Sequence, residues 1–271
     1  MKQIQGQLLR IGQIAGMFYG NSKGPSDNLT IYGIGAPVAP DNGRLPDAPF
    51  ILRFDTDLFV PDYIGYGRSD GTFTPRNCIK TFLELNNSFL KGCIGKSTYL
   101  GISQNMKYKN IFFIGRSFGG MYVSLLPRFN KEIKNLCLIS PILDYVACGK
   151  IEGEEKTDGF MKAMKIDGYK HLYRGILRNI WARHLANKDG LCPMDNIPYL
   201  KNTKIFIAHG KKDKNINFSH SVKFHSLIKD FFMNKEIQIF LKLYGNGDHS
   251  FITSNRAIVD FFRWTNLKER K

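Results

Sequence analysis

Asn110 to Gly120 reads NIFFIGRSFGG, and this stretch decides the fold. Ile111, Phe112, Phe113 and Ile114 form a short continuous apolar run, which predicts a strand covered on both faces of a parallel sheet. Gly115 ends the run, and Met121 to Leu126 can continue as a helix. A strand, a sharp turn and a helix are the setting in which G-x-S-x-G exposes a nucleophile. Here the motif is Gly115-Arg116-Ser117-Phe118-Gly119, and Gly120 lets the helix pack close to the sheet. A helix N-terminus beside the Ser117 hydroxyl adds partial positive charge. The plain alternative is a glycine turn in which Ser117 only caps a helix.

Around this stretch the chain alternates. Ile4–Ile11 and Gln13–Tyr19 predict an opening antiparallel hairpin. Leu29 to Gly35 predicts the first central strand, running into a glycine loop. Pro37 to Pro49 holds four prolines and predicts a loop. Phe50 to Val60 predicts a strand, and Pro61 to Gly71 a Gly- and Asp-rich loop. Thr74 caps a helix with Pro75 in its first turn, running to about Leu90 with Ile79, Phe82, Leu83, Leu85 and Leu90 inward. Asn135–Ile139, Lys204–His209 and Glu236–Tyr244 predict further strands, and Phe218–Phe232 and Ile252–Leu267 predict helices. The expected fold class is α/β, one domain over 1–271, with a mostly parallel sheet and helices on both faces.

Residues 147–198 break the alternation. Within them Tyr169, Leu172, Tyr173, Ile176, Leu177, Ile180, Trp181 and Leu185 step at helical intervals, predicting a helix over Tyr169–Leu185. That helix packs on the domain, lies on a membrane surface, or forms a lid over the site. In the lid reading, Tyr169, Tyr173, Ile176 and Trp181 contact substrate.

A serine hydroxyl needs a base, and the base needs a carboxylate to fix its tautomer. In open parallel sheets such groups gather beyond the carboxyl ends of strands. Asp213 follows the Lys204–His209 strand in HGKKD, and His249 follows the next strand in GNGDHSF. Asp144, after Asn135–Ile139, is the rival acid. Asp248 adjoins His249 and should point elsewhere. His209 is expected to be a packed, hydrogen-bonded histidine. For an oxyanion, backbone N–H groups are expected from Phe118 and from Ile34, with Gly35 in reserve. His171, His184, His220 and His225 show no metal-ligand spacing, so no metal and no cofactor are expected.

Composition bounds the rest. The net charge is +16, yet residues 1–75 net −1, so the remainder carries +17. This balance fits acidic substrates, anionic surfaces or a solvated lysine-rich face. No basic block is interleaved with aromatics, so no nucleic-acid partner is expected. Five cysteines without C-x-x-C, and no signal-peptide core in Met1–Arg10, predict a cytoplasmic setting.

GRSFGG around Ser117, HGKKDKNI around Asp213 and GDHSF around His249 together resemble the α/β-hydrolases over almost the whole chain. PDYIGYGRSDG resembles that family's loop after its fourth strand. The order Ser117, Asp213, His249 is the family's order. The motifs are similar to those of the serine aminopeptidase and prolyl-oligopeptidase branches and of small esterases. The resemblance implies a Ser-His-Asp triad, an acyl-enzyme, and a cap at about 147–198. It implies a small-molecule ester, thioester or short peptide as substrate. A departure is Tyr32-Gly33, where the family commonly has His-Gly. The readings carried forward are a carboxylesterase-like hydrolase, a serine peptidase, and a non-catalytic binding protein on a hydrolase scaffold.

Overall fold

The structure, a computed structural model, describes residues 4–20, 24–154, 170–233 and 236–270. A ten-stranded sheet runs through it. Its strands are β1 Gln7–Ile11, β2 Ile14–Tyr19, β3 Asn28–Gly33, β4 Asp57–Pro61, β5 Cys93–Ser97, β6 Ser103–Met106, β7 Asn110–Arg116, β8 Asn135–Ile139, β9 Lys204–Gly210 and β10 Gln238–Tyr244. Their order in space is β10-β9-β8-β7-β3-β4-β2-β1-β5-β6. From β10 to β4 neighbours run parallel, and from β4 to β6 they run antiparallel.

The helices are α1 Ala48–Ile51, α2 Pro75–Lys91, α3 Phe118–Phe129, α4 Arg178–Leu185, α5 Ser219–Phe232 and α6 Phe251–Trp264. A 3₁₀ segment spans Pro193–Leu200. The apolar run of β7 is buried, as are its neighbours Leu29 and Ile31 of β3 and Leu136 to Leu138 of β8. Covering from both faces accounts for its unbroken apolar character. None of the described helices is long and apolar enough to cross a membrane. All five cysteines are free, and Cys137 is buried in β8 as expected.

The hairpin, the β3 strand, the Thr74 cap and the α3, α5 and α6 helices form close to their expected bounds. Thr74 accepts from the Asn77 N–H at 3.2 Å. Other expectations are corrected. Phe50–Val60 is not one strand: Ala48–Ile51 is helical and pairing begins at Asp57. Leu90 is exposed, and Phe89 is the residue that turns inward. Between α2 and β7 the chain forms the β5–β6 hairpin, which extends the sheet beyond β1.

The expected helix over 169–185 is helical only in α4. Tyr169 lies outside the described residues. Leu172 to Arg174 instead run beside the 65–73 loop, and Tyr173 bridges Tyr66 in antiparallel fashion. The Arg174 N–H donates to Gly65 O at 2.8 Å, and the Phe73 N–H donates to Arg174 O at 2.7 Å. Gly175 then turns the chain at φ +63°, a conformation glycine adopts without Cβ strain. Of the expected stripe, Tyr173 and Trp181 are buried, Leu172, Ile176, Ile180 and Leu185 are half-buried and Leu177 is exposed, and the backbone hydrogen bonds at Arg174 go to a neighbouring loop.

Candidate active site

Ser117 stands between β7 and α3 at φ 54°, ψ −118°. This is a strained conformation for a residue with a Cβ. Its surroundings enforce it. A Cβ on Gly115 would meet Gly119 O at 2.5 Å, and one on Gly119 would meet Gly33 O at 2.2 Å. Only glycine at both places lets the turn close and lets α3 start against the end of β3. The Ser117 N–H donates to Ile139 O at 2.9 Å, and its carbonyl accepts from Gly120 and Ile142. The turn is thereby tied to β8.

The loop after β3 passes directly beside this serine. A Cβ on Gly35 would sit 3.4 Å from Ser117 Cβ and 3.8 Å from its Oγ. Tyr63 holds the loop by donating to Ile34 O at 2.8 Å. Ile34 and Phe118 are buried, and Phe118 opens α3 immediately after Ser117.

Asp213 and His249 meet beyond β9 and β10. His249 Nδ1 is 2.7 Å from Asp213 Oδ2. The other carboxylate oxygen accepts from the N–H groups of Asn215 and Ile216, both at 3.0 Å. His209 Nε2 is also 3.2 Å from Asp213 Oδ2. That nitrogen lies 2.9 Å from Ile216 O, and a carbonyl only accepts, so Nε2 carries the proton. His209 Nδ1 then accepts from Ser221 Oγ at 2.7 Å. Burial alone would raise the Asp213 pKa, but hydrogen bonds from His209 and His249 hold it well below the usual carboxylate range. The carboxylate therefore stays ionised through the neutral range and fixes the proton of His249 on Nδ1. The imidazole is 20% exposed. Ser117 Oγ makes no hydrogen bond to His249 among the described residues.

The rival acid is engaged elsewhere. Asp144 Oδ1 accepts from the Ala147 N–H at 3.1 Å and from Asn187 Nδ2 at 2.6 Å. Asp248 Oδ1 accepts from the Ser250 N–H at 3.1 Å.

No family model matches the chain, and no curated protein matches it in sequence. Solved structures do. The esterase Est1E from Butyrivibrio proteoclasticus, with ferulic acid bound, aligns over 95% of this chain and 98% of its own at TM-score 0.63 and 16% identity. The Pyrococcus furiosus esterase Pf2001 aligns over 96% and 90% at TM-score 0.59 and 15% identity. The acylaminoacyl peptidase of Pyrococcus horikoshii aligns over all of this chain and 43% of its own at TM-score 0.65 and 12% identity. The chain has the α/β-hydrolase fold. At such identities the likeness speaks for the fold.

Within that fold the Tyr32 departure has a partner. Tyr32 OH donates to Asp47 Oδ2, which also accepts from Ser254 Oγ at 3.1 Å. Asp47 is buried, and its Oδ1 has no hydrogen-bond partner among the described residues. Burial pushes its pKa up to about 6, against the opposing pull of Tyr32 and of the Arg116 charge.

A cleft of about 210 Å³ opens beside the loop after β3, lined by Ile34, Gly35, Val38, Leu45, Arg116 and Phe251 among others. Two larger clefts, of about 420 and 770 Å³, open around Gly24, Pro25 and Ser26 at the other end of the strands. None of Ser117, Asp213 and His249 lines any of the three; the 210 Å³ cleft reaches the residues beside them, Gly35, Arg116 and Phe251.

Of the residues expected to touch substrate, Trp181 is fully buried and stacks on Phe73 at 4.9 Å and on Phe118 at 6.3 Å. Its indole N–H donates to Phe73 O at 3.0 Å. Tyr173 is buried against Tyr66 and Phe73. Ile176 is half-buried against the core. His184 anchors α4 to α3 through Tyr122 OH at 3.1 Å, and its Nδ1 is 2.8 Å from Asp189.

His220, expected to lack metal-ligand partners, stands in a group that could hold a metal ion. Cys148, Glu154 and His220 place ligand atoms within 4.8 Å of one another. Glu154 is already satisfied, because it accepts from the N–H groups of Gly149 and Asn217 and from His220 Nε2. It acts as an anchored carboxylate before α5. Sequence reading did not single out Tyr63, Asp47 or Arg116, nor the contact between His209 and Asp213. An aromatic inside the glycine-rich 61–71 loop was the available sign for Tyr63.

Proposed function

We propose that this chain is a serine hydrolase that cleaves a carboxylic ester or thioester through an acyl-enzyme. The observation that carries the reading is the His249–Asp213 pair, at 2.7 Å, set on the same sheet edge as a serine held at φ 54°. Ser117 attacks the acyl carbonyl, and His249 Nε2 takes the serine proton. The N–H groups of Phe118 and Ile34, with Gly35 beside them, receive the developing oxyanion. His249 returns its proton to the leaving alcohol or thiol. It then activates a water that releases the acyl group. Asp213 keeps His249 in the required tautomer and stabilises the imidazolium. In sites without substrate the serine–histidine contact is commonly long, and it closes as substrate binds.

The mechanism assigns no step to a metal or cofactor. In this reading 147–198 is the cap, and Tyr173 and Trp181 support the site from beneath by packing on Phe73 and, for Trp181, on Phe118. The 210 Å³ cleft receives a small acyl or alcohol group. Because one neighbour was solved with ferulic acid, aromatic acid esters lead the first panel. N-acylaminoacyl amides stand beside them for the peptidase reading, because another neighbour is an acylaminoacyl peptidase. The free thiols fit a reducing, cytoplasmic setting.

Hydrolysis of a panel of p-nitrophenyl esters and N-acylaminoacyl amides by wild type and by Ser117→Ala tests the reading. Turnover confined to wild type supports it. Equal rates from both proteins defeat it, and preference for the amides moves the assignment to a peptidase.

A further inference from the structure

Arg116 is the last residue of β7 and the immediate neighbour of Ser117. Its side chain does not point to open solvent. Nη2 donates to the carbonyl of His249 at 2.5 Å, across 133 residues of sequence. The guanidinium also lies over the Phe251 ring, 4.4 Å from its centroid. Phe251 opens α6, two residues after His249. The arginine thus grips both the loop that carries the base and the helix that follows it.

The same guanidinium feels the charge of Asp47. Asp47 is fixed by Tyr32 of β3 and Ser254 of α6. Asp47, Tyr32 and Ser254 thus form a buried cluster that links the strand before the oxyanion loop to the helix after the base. The rest of the His249 loop has its own bonds: Lys212 N–H to Gly247 O at 2.7 Å, and Asp248 N–H to Thr253 Oγ1 at 3.0 Å. Those bonds tie it to the acid loop and to α6. The Arg116 bond ties it to the nucleophile's strand.

We propose that Arg116 is a positioning residue that sets the distance between Ser117 and His249 by holding the His249 carbonyl. This role rests on the hydrolase reading above. A base displaced by about 1 Å loses on the order of a hundredfold in rate. Arginine suits the task because its planar fork donates to a carbonyl while its face stacks on an aromatic ring. Lysine keeps the charge and can still donate to the carbonyl, but loses the stacked plane. Methionine keeps only the apolar length.

Arg116→Met and Arg116→Lys, assayed beside wild type and Ser117→Ala on p-nitrophenyl acetate, test the proposal. The proton NMR signal of the His249 Nδ1–H···Asp213 bond is followed in each folded protein. Arg116→Met is expected to lose about a hundredfold in kcat with KM within threefold, and to shift or broaden that signal. Arg116→Lys should recover about tenfold of the loss. An Arg116→Met protein with kcat within threefold of wild type and an unmoved signal overturns the proposal. If Arg116→Met does not fold, Arg116→Lys decides: about a tenfold loss in kcat supports the role, and wild-type kcat overturns it. If wild type turns over nothing, the hydrolase reading fails separately. The His249 signal alone then decides whether Arg116 holds the loop.

Discussion

His249 Nδ1 lies 2.7 Å from Asp213 Oδ2, although 36 residues of chain separate them. Asp144, which also follows a strand at this edge, is bonded to Ala147 and Asn187 instead. The two acids are therefore separable by substitution. Asp213→Asn should lower kcat by about a thousandfold or more, and Asp144→Asn should stay within about threefold on the same p-nitrophenyl ester. The opposite ranking would transfer the role to Asp144.

Asp47 makes a prediction about pH and stability. Its folded pKa of about 6 lies above the ordinary carboxyl value of 3.8. A raised carboxyl pKa means that the folded state prefers the protonated form. Its stabilising contribution is fully present below pH 3.8 and is lost as pH rises to about 6. The loss amounts to roughly 3 kcal/mol at most. Asp47→Asn keeps the shape without the charge. Urea unfolding at pH 4 and pH 7 should show the variant gaining on wild type at the higher pH. A constant difference between the two would contradict this account of Asp47.

Trp181 fills the space between α4 and the start of α3 with no surface exposed. Trp181→Ala should cost about 3–5 kcal/mol of unfolding free energy, as large-to-small core changes do. Because Trp181 stacks on Phe118, activity should also fall in the protein that remains folded. A chemical-denaturation change below about 1 kcal/mol would place this indole outside the core.

The turn at Ser117 and the approach of Asp213 to His249 were legible because their signals are local. Gly115 and Gly119 report a turn around Ser117 whose sterics admit no Cβ at either glycine, and Asp213 and His249 each follow a strand at the expected edge. Phe50–Val60 misled because a short apolar run reads alike for a helical turn and a buried strand. In Tyr169–Leu185 the side-chain period was real inside α4, but Gly65 and Phe73 took the backbone bonds of Arg174. The β5–β6 hairpin carries no apolar alternation, since Ile94 and Ile102 are exposed and Gly95 and Ser97 are buried. Arg116 was hidden because its partner is a carbonyl far along the chain.

The central claim is that Ser117 is an activated nucleophile. Intact-mass analysis after fluorophosphonate treatment, run on wild type and on Ser117→Ala, tests it most directly. The account predicts one adduct on wild type and none on the variant. A folded wild type that takes no adduct, or a variant that still takes one, would contradict it.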